Sequence, residues 1–251
     1  MLLRMREAPL PPAGTLRRTV TLVRAFRLEQ SEPDTFYSLL ARDSVREVSR
    51  YCPLAGATVL DVGGGPGYFA DAFAAAGARY LSADSDVGEL AGRFGPRPGS
   101  VVASGLALPF PDASLDVCYS SNVLEHVPEP ERMAAEMVRV TRPGGVVFCA
   151  FTVWLSPWGG HETSPWHYLG GKYAARRYQR RYGHPPKNVY GKSLFPLSAA
   201  RMIRWARRAT NAELVEYFPR YHPGWLRWTA KVPALREAAT ANLVLVLRAR
   251  P

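Results

Sequence analysis

One run constrains this chain more than any other: Val59-Leu60-Asp61-Val62-Gly63-Gly64-Gly65-Pro66-Gly67-Tyr68-Phe69. An apolar strand ends in a carboxylate, passes into glycines, and leads to an amphipathic helix. Glycines let the backbone turn sharply and approach a ligand without a Cβ in the way. Gly63, Gly65 and Gly67 give G-x-G-x-G, and Tyr68 stands where a dinucleotide fingerprint would have its last glycine. No Gly-Lys-Ser/Thr follows, which excludes a P-loop. Asp61 stands where it could meet an ammonium group rather than a phosphate. The next apolar run, Tyr80-Leu81-Ser82-Ala83-Asp84, ends in a carboxylate that can accept both hydroxyl protons of a ribose. The bland alternative for Asp84 is a helix cap.

The surroundings repeat the pattern. Short apolar runs near 57–62, 78–84, 99–104, 115–121 and 145–153 read as strands, with helices expected at 66–77, 86–94 and 128–142. Strand, helix, strand at this spacing predicts parallel βαβ units in a doubly wound α/β fold. Two later strands at 212–218 and 242–248 complete a seven-stranded, mostly parallel Rossmann-like sheet. Ligands of such sheets bind beyond the carboxyl ends of the strands. Ahead of the sheet, residues 1–50 are expected to form a helical lid. It would comprise a basic helix over 15–29, with Leu16, Val20, Val23 and Arg27 on one face widened by Leu22 and Phe26. A second helix would run over 34–50 with Phe36, Leu39, Leu40 and Val48 on its apolar side. Residues 51–251 form the main domain. Within it, 154–195 breaks the rhythm with Trp, Tyr, His, Gly and Pro and reads as an insertion on the substrate side. A basic helix fits 171–182, closed by Gly183, and Ser198 caps a helix to about Ala209.

Composition narrows the class. With 251 residues and 47% hydrophobic content the chain can bury a core, and it is neither a disordered nor a disulfide-stapled sequence. No run of about 18 uncharged apolar residues occurs, and Met1 to Glu7 lacks the apolar stretch of a secretory signal, so the expected location is the cytoplasm, with peripheral contact at the anionic inner face of the membrane left open. Cys118 and Cys149 lie in apolar runs and read as reduced core residues. The net charge is +11. Residues 163–212 hold Lys172, Arg176, Arg177, Arg180, Arg181, Lys187, Lys192, Arg201, Arg204, Arg207 and Arg208 and no acidic residue, whereas 51–150 is acidic on balance. Such asymmetry points to an anionic partner, with a solvated basic face as the alternative.

From Asp61 onward the sequence resembles the class I S-adenosylmethionine-dependent methyltransferases. Asp61-Val62-Gly63-Gly64-Gly65-Pro66-Gly67 resembles the family's first motif and Asp84 its ribose carboxylate. Ala103-Ser104-Gly105-Leu106-Ala107-Leu108-Pro109-Phe110 resembles the third-strand motif. Leu115 through Val127, with Ser121-Asn122-Val123-Leu124-Glu125-His126 in its loop, resembles the fourth strand. Val140-Thr141-Arg142-Pro143-Gly144-Gly145 resembles the turn into strand five. The closest group is that of quinone-biosynthesis and other small-molecule methyltransferases, and over the whole chain it is uncharacterised actinobacterial members. The resemblance implies S-adenosyl-L-methionine as cofactor, held by Asp61, Gly63, Gly64, Gly65, Gly67, Tyr68, Asp84, Ser85, Ser104, Gly105, Leu106 and Asn122. Ser104 stands where the family usually has an Asp that accepts from the adenine amino group. A neutral hydroxyl there is the weaker acceptor.

Methyl transfer from a sulfonium needs alignment and dryness more than it needs a metal, and no metal set is expected: His161-Glu162 and His167 lack a recognised ligand spacing. Candidates for a catalytic base are His126 after strand four and His161, Glu162, His167 and Tyr168 in the insertion. Trp154, Trp158, Trp166, Arg177 and Arg181 are candidates for binding the acceptor. Aromatic walls beside a basic helix suit a small-molecule or lipid-like anionic acceptor, with O-methylation preferred. Two alternatives remain open. One is an RNA methyltransferase, disfavoured by the absence of an Asn/Asp-Pro-Pro-aromatic motif after strand four. The other is a non-catalytic cofactor-binding protein resting on an anionic membrane through the 15–29 helix.

Overall fold

The computed structural model describes residues 10–26, 31–91 and 98–251. Its centre is a seven-stranded sheet in the order β3-β2-β1-β4-β5-β7-β6. The strands are β1 (Thr58–Val62), β2 (Arg79–Asp84), β3 (Ser100–Val102), β4 (Leu115–Ser121), β5 (Thr141–Thr152), β6 (Ala212–Pro219) and β7 (Asn242–Ala249). β1 to β5 run parallel, while β7 is antiparallel to both β5 and β6. Strand order reverses between β1 and β4, so the carboxyl ends of those two strands flank the switch point where such sheets bind ligands.

Alternate strand residues feed opposite faces, as the two-residue period of a strand requires. Leu60, Cys118, Val147 and Leu245 pack under α5 (Pro130–Val140) and α7 (Ala199–Arg208) through Met133, Met137, Met202 and Ile203. Val59, Val117, Phe148 and Val244 pack against Phe36 and Leu40 of α2 (Pro33–Val48) and Phe73 of α3 (Ala70–Ala75). Cys118 and Cys149 are both buried and unpaired, and burial pushes the Cys149 thiol up to about 12. Among the described residues no helix is long and apolar enough to cross a membrane.

Several boundaries differ from expectation. The helix after the glycines starts at Ala70 rather than Pro66, because Gly67 sits at φ +82° and holds residues 66–69 in a turn. α4 spans Val87–Ala91, and the rest of the expected 86–94 helix lies outside the described residues. The Gly224–Lys231 3-10 segment and α8 (Pro233–Ala238) are not among the expected elements. α6 (Gly171–Tyr182) does end on Gly183 at φ +79°, and Ser198 Oγ caps α7 by accepting from the Arg201 amide at 3.1 Å.

The first helix requires a correction. α1 covers Leu16–Phe26, and Arg27 lies outside the described residues. Its buried face is Arg18, Leu22 and Ala25, while Leu16, Val20 and Val23 are exposed. A charged side chain displaced the valines from the interior because the interior supplies its partners. Arg18 Nε donates to Asp43 Oδ1 at 2.8 Å and Nη1 donates to the Arg220 carbonyl at 2.9 Å, all of it buried. Arg220 is buried as well, and its Nη1 donates to Ser121 Oγ at 2.7 Å and its Nη2 to Tyr119 Oη at 3.2 Å. This network fastens α1 and α2 to the carboxyl ends of β4 and β6.

Candidate active site

A cavity of about 790 Å³ opens at the switch point. That is within the roughly 300–1,000 Å³ typical of small-molecule sites. The turn after β1 forms its floor through Gly63, Gly64, Gly65 and Tyr68. Gly63 stands at φ +77°, and a Cβ there would lie 2.3 Å from Val123 Cγ2, so no side chain fits. Gly65, at φ +49°, has nothing closer to such a Cβ than Glu89 Oε2 at 3.9 Å. The loop thus presents bare backbone to an open space, a cradle for a ligand that must come close.

The second wall is the end of β2. Asp84 Oδ2 accepts from the Gly65 amide at 3.0 Å and Oδ1 from the Asp86 amide at 2.9 Å. Each oxygen keeps further lone-pair capacity for a hydroxyl. Ser85, Ser104, Gly105 and Leu106 also line the cavity. Ser104 Oγ already accepts from the Leu106 amide at 3.2 Å, which leaves less of it for an adenine amino group. Asn122 lines the third wall from a left-handed backbone (φ +60°). Its amide donates to the Ala150 carbonyl at 2.7 Å, and its Oδ1 accepts from Asn242 at 3.0 Å.

Asp61 is placed differently. It is buried beneath Gly64 and is not on the cavity wall; its Oδ2 accepts from Tyr80 Oη at 2.7 Å. Burial pushes its carboxyl up to about 7, against the hydrogen bond from Tyr80, with the nearby Asp84 charge adding to the rise. Gly67 also stays off the wall and shapes the turn.

Of the proposed base candidates, His126 is the one that lines the cavity. Its Nδ1 lies 2.6 Å from the Ser193 carbonyl, an acceptor only, so Nδ1 carries a proton and the neutral ring has its lone pair on Nε2. The His161 ring stands edge-on to it, 5.1 Å between centroids, and desolvation holds the His161 pKa below the ordinary histidine value. Glu162 faces away and accepts from Asn188 Nδ2 at 2.7 Å, orienting a residue of the cavity rim. His167 is buried, packed between Trp154 and Tyr168, with Nε2 donating to the Ser156 carbonyl at 3.1 Å. Tyr168 Oη donates to the Leu155 carbonyl at 3.3 Å. Neither reaches the cavity.

The acceptor candidates also lie apart from it. Trp154 packs on His167 and Tyr190, and Trp158 meets Phe26 edge-on. Trp166 lies under the Arg177 guanidinium at 3.9 Å. Arg177 joins Tyr173, Arg176 and Arg180 around a separate hollow of about 240 Å³ that Arg181 does not line. Conversely, the cavity uses residues that sequence spacing does not single out. Tyr37 of α2 stacks on Tyr68 (4.7 Å, 14°), and Lys187 and Asn188 approach from the insertion. Lys187 Nζ stands 3.9 Å from Glu89 Oε1 across the rim.

Together these features define a doubly wound nucleoside-binding domain: bare glycine backbone under a cavity, and a carboxylate at the end of the second strand. The family model for a methyltransferase domain matches residues 60–149, from β1 through β5. An uncharacterized methyltransferase of Mycobacteroides abscessus is 53% identical over 250 residues, covering 94% of this chain and 96% of the relative. One from Mycobacterium marinum is 54% identical over 248 residues, covering 94% and 96%. The fold is similar to that of an S-adenosylmethionine-dependent methyltransferase of Mesorhizobium loti (TM-score 0.57, 21% identity, 82% of this chain and 95% of that one). It is also similar to magnesium protoporphyrin IX methyltransferase of Synechocystis, solved with bound S-adenosylmethionine (TM-score 0.53, 12% identity, 92% and 84%). The chain belongs to the S-adenosylmethionine-dependent methyltransferase family. The cradle suits that cofactor: Gly63 and Gly65 leave the close approach open, and Asp84 offers carboxylate oxygens at the end of β2.

Proposed function

We propose that the enzyme methylates an oxygen of a small-molecule or lipid-like acceptor that carries an anionic group. When bound, S-adenosylmethionine supplies a methyl carbon made electrophilic by its sulfonium. The chain's own task is to align the acceptor and keep water out. Tyr37 stacked on Tyr68, with Leu40 behind, provides an apolar wall from the N-terminal helices.

The observation that carries the reading is His126. It is the one histidine on the cavity wall among the described residues, and its Nδ1–H is committed to Ser193, leaving the Nε2 lone pair free for use. A hydroxyl acceptor must lose its proton, and the His126 corner is where that loss is favoured. The preference for an anion rests on Lys187 at the cavity rim and on α6, where Arg176, Arg177 and Arg180 have no carboxylate partner among the described residues.

Incubating the enzyme with methyl-labelled cofactor and fractionated cell extract tests this. Label is expected in an anionic small-molecule or lipid fraction. Arg176→Gln, Arg177→Gln, Arg180→Gln and Arg181→Gln combined should lower turnover and spare cofactor affinity. Salt should mimic the change in the wild type, since the Debye length falls to roughly 3 Å at 1 M. Label entering RNA, or normal turnover by the quadruple variant, contradicts the reading.

A further inference from the structure

Glu125 and His161 meet behind His126, a residue of the cavity wall, and two of their polar atoms lack partners. Glu125 is 1% exposed, a carboxylate in the interior. Its Oε1 accepts from the Thr152 amide at 3.0 Å, while Oε2 is buried and has no hydrogen-bond partner. No cation pairs with it among the described residues, although a buried carboxylate is costly unless it is paired or coordinates a metal. His161 Nε2 is likewise buried and unpartnered. His126 carries its lone pair on Nε2 because Nδ1–H donates to the Ser193 carbonyl. One ligand atom from each of Glu125, His126 and His161 can be chosen so that all three lie within 4.8 Å of one another.

We propose that Glu125, His126 and His161 form a divalent-metal site of the kind that takes Zn²⁺, set behind the cavity wall at His126. Two imidazoles and one carboxylate are a donor set suited to zinc, and three protein ligands leave a fourth position for water or substrate. The outer contacts fit as well. Metal-bound histidines characteristically donate their other ring N–H to a carbonyl or carboxylate, and His126 does so to Ser193. The ligating carboxylate is held by the Thr152 amide, and the Phe195 amide donates to the Glu125 carbonyl at 2.8 Å, so the insertion is strapped to the turn that bears two of the ligands. His161 is held at φ +49°, a conformation uncommon for a residue with a side chain, which turns its ring toward His126. Bonds of about 2.0–2.1 Å to zinc require the three atoms to draw closer than the 4.8 Å within which they now lie.

This deepens the reading given under Proposed function and rests on it. His126 is the ligand that lines the cavity, and on its side the fourth position would take the acceptor oxygen. There the hydroxyl gives its proton to water at lower cost. An oxygen lone pair then forms the bond to the methyl carbon while the carbon–sulfur bond breaks, and that bonding pair stays on sulfur, which becomes a neutral thioether.

The test uses untagged full-length protein, freed of metal by a chelator and dialysed against Co²⁺ or Zn²⁺ alone. The expected result is one equivalent bound, with the ligand-field absorption of tetrahedral Co²⁺. Glu125→Gln and His161→Asn should each weaken binding at least about tenfold, since loss of an outer contact alone costs roughly 10–100-fold. His184→Ala, at an exposed histidine, should bind as the wild type does. Glu125→Gln keeps an acceptor for the Thr152 amide, and S-adenosylmethionine binding by each variant reports that it is folded. Wild-type protein that binds the cofactor yet retains no Co²⁺ or Zn²⁺ overturns the site while leaving the methyltransferase reading intact. So does one equivalent that survives both substitutions.

Discussion

The Gly65 amide donates to Asp84 Oδ2 at 3.0 Å, which ties the loop after β1 to the end of β2. The same carboxylate therefore shapes the cradle and is the group proposed to hold the ribose. Asp84→Ala removes both functions. A hydrogen bond to a charged group is worth about 1.5–3 kcal/mol, and calorimetric affinity for S-adenosylmethionine should fall by that amount. An unchanged affinity would take the ribose away from Asp84.

Arg18 and Asp43 carry the attachment of the N-terminal helices. Asp43→Ala removes the carboxylate that hydrogen-bonds Arg18 and leaves it only Glu47 Oε1 at 3.9 Å, and Arg46, 2.7 Å from Asp43, also loses a partner. Breaking a buried pair from one side costs about 3–5 kcal/mol. The urea midpoint should fall accordingly. Replacing both members, Arg18→Met with Asp43→Leu, should cost less than Asp43→Ala alone. A loss below about 1 kcal/mol for Asp43→Ala would mean that the pair behaves as a surface bridge.

Asp61 makes stability depend on pH with a definite sign. Its folded pKa, about 7, stands above the ordinary carboxylate value of 3.8. Between those values the folded state binds more protons than the unfolded one, so this group's contribution falls as pH rises through that window and levels off above it. Asp61→Asn retains an acceptor for Tyr80 and removes the titration. Chemical denaturation at about pH 5 and about pH 8 should show the wild type losing stability relative to this variant at the higher pH. A constant difference would mean that Asp61 titrates normally.

The strands, the glycine loop and Asp84 were legible because their signals are local. Val59 to Phe69 writes strand, turn and helix in consecutive residues, and Asp84 closes the next apolar run. What escaped depends on contacts far along the chain. The valines of α1 form an amphipathic stripe, yet Arg18 takes the interior because Asp43 and the Arg220 carbonyl, 25 and 202 residues away, satisfy its guanidinium. Tyr37 reaches the cavity by stacking on Tyr68, a pairing no periodicity encodes. The insertion's aromatics read as an acceptor wall but pack chiefly on one another, as Trp154 does on His167 and Tyr190. Its polar residues Lys187, Asn188 and Ser193 line the cavity instead. His161 meets Glu125 and His126 only in three dimensions, so scanning for closely spaced ligands in sequence could not assemble that group.

If the cofactor lies on the bare backbone of the loop after β1, titration calorimetry of Gly65→Val with S-adenosylmethionine will show it. Gly65 stands at φ +49° on the cavity floor, where a β-branched side chain both strains the backbone and fills the approach. The heat of binding is expected to disappear while the circular dichroism spectrum stays native. A Gly65→Val protein that binds S-adenosylmethionine as tightly as the wild type would contradict it.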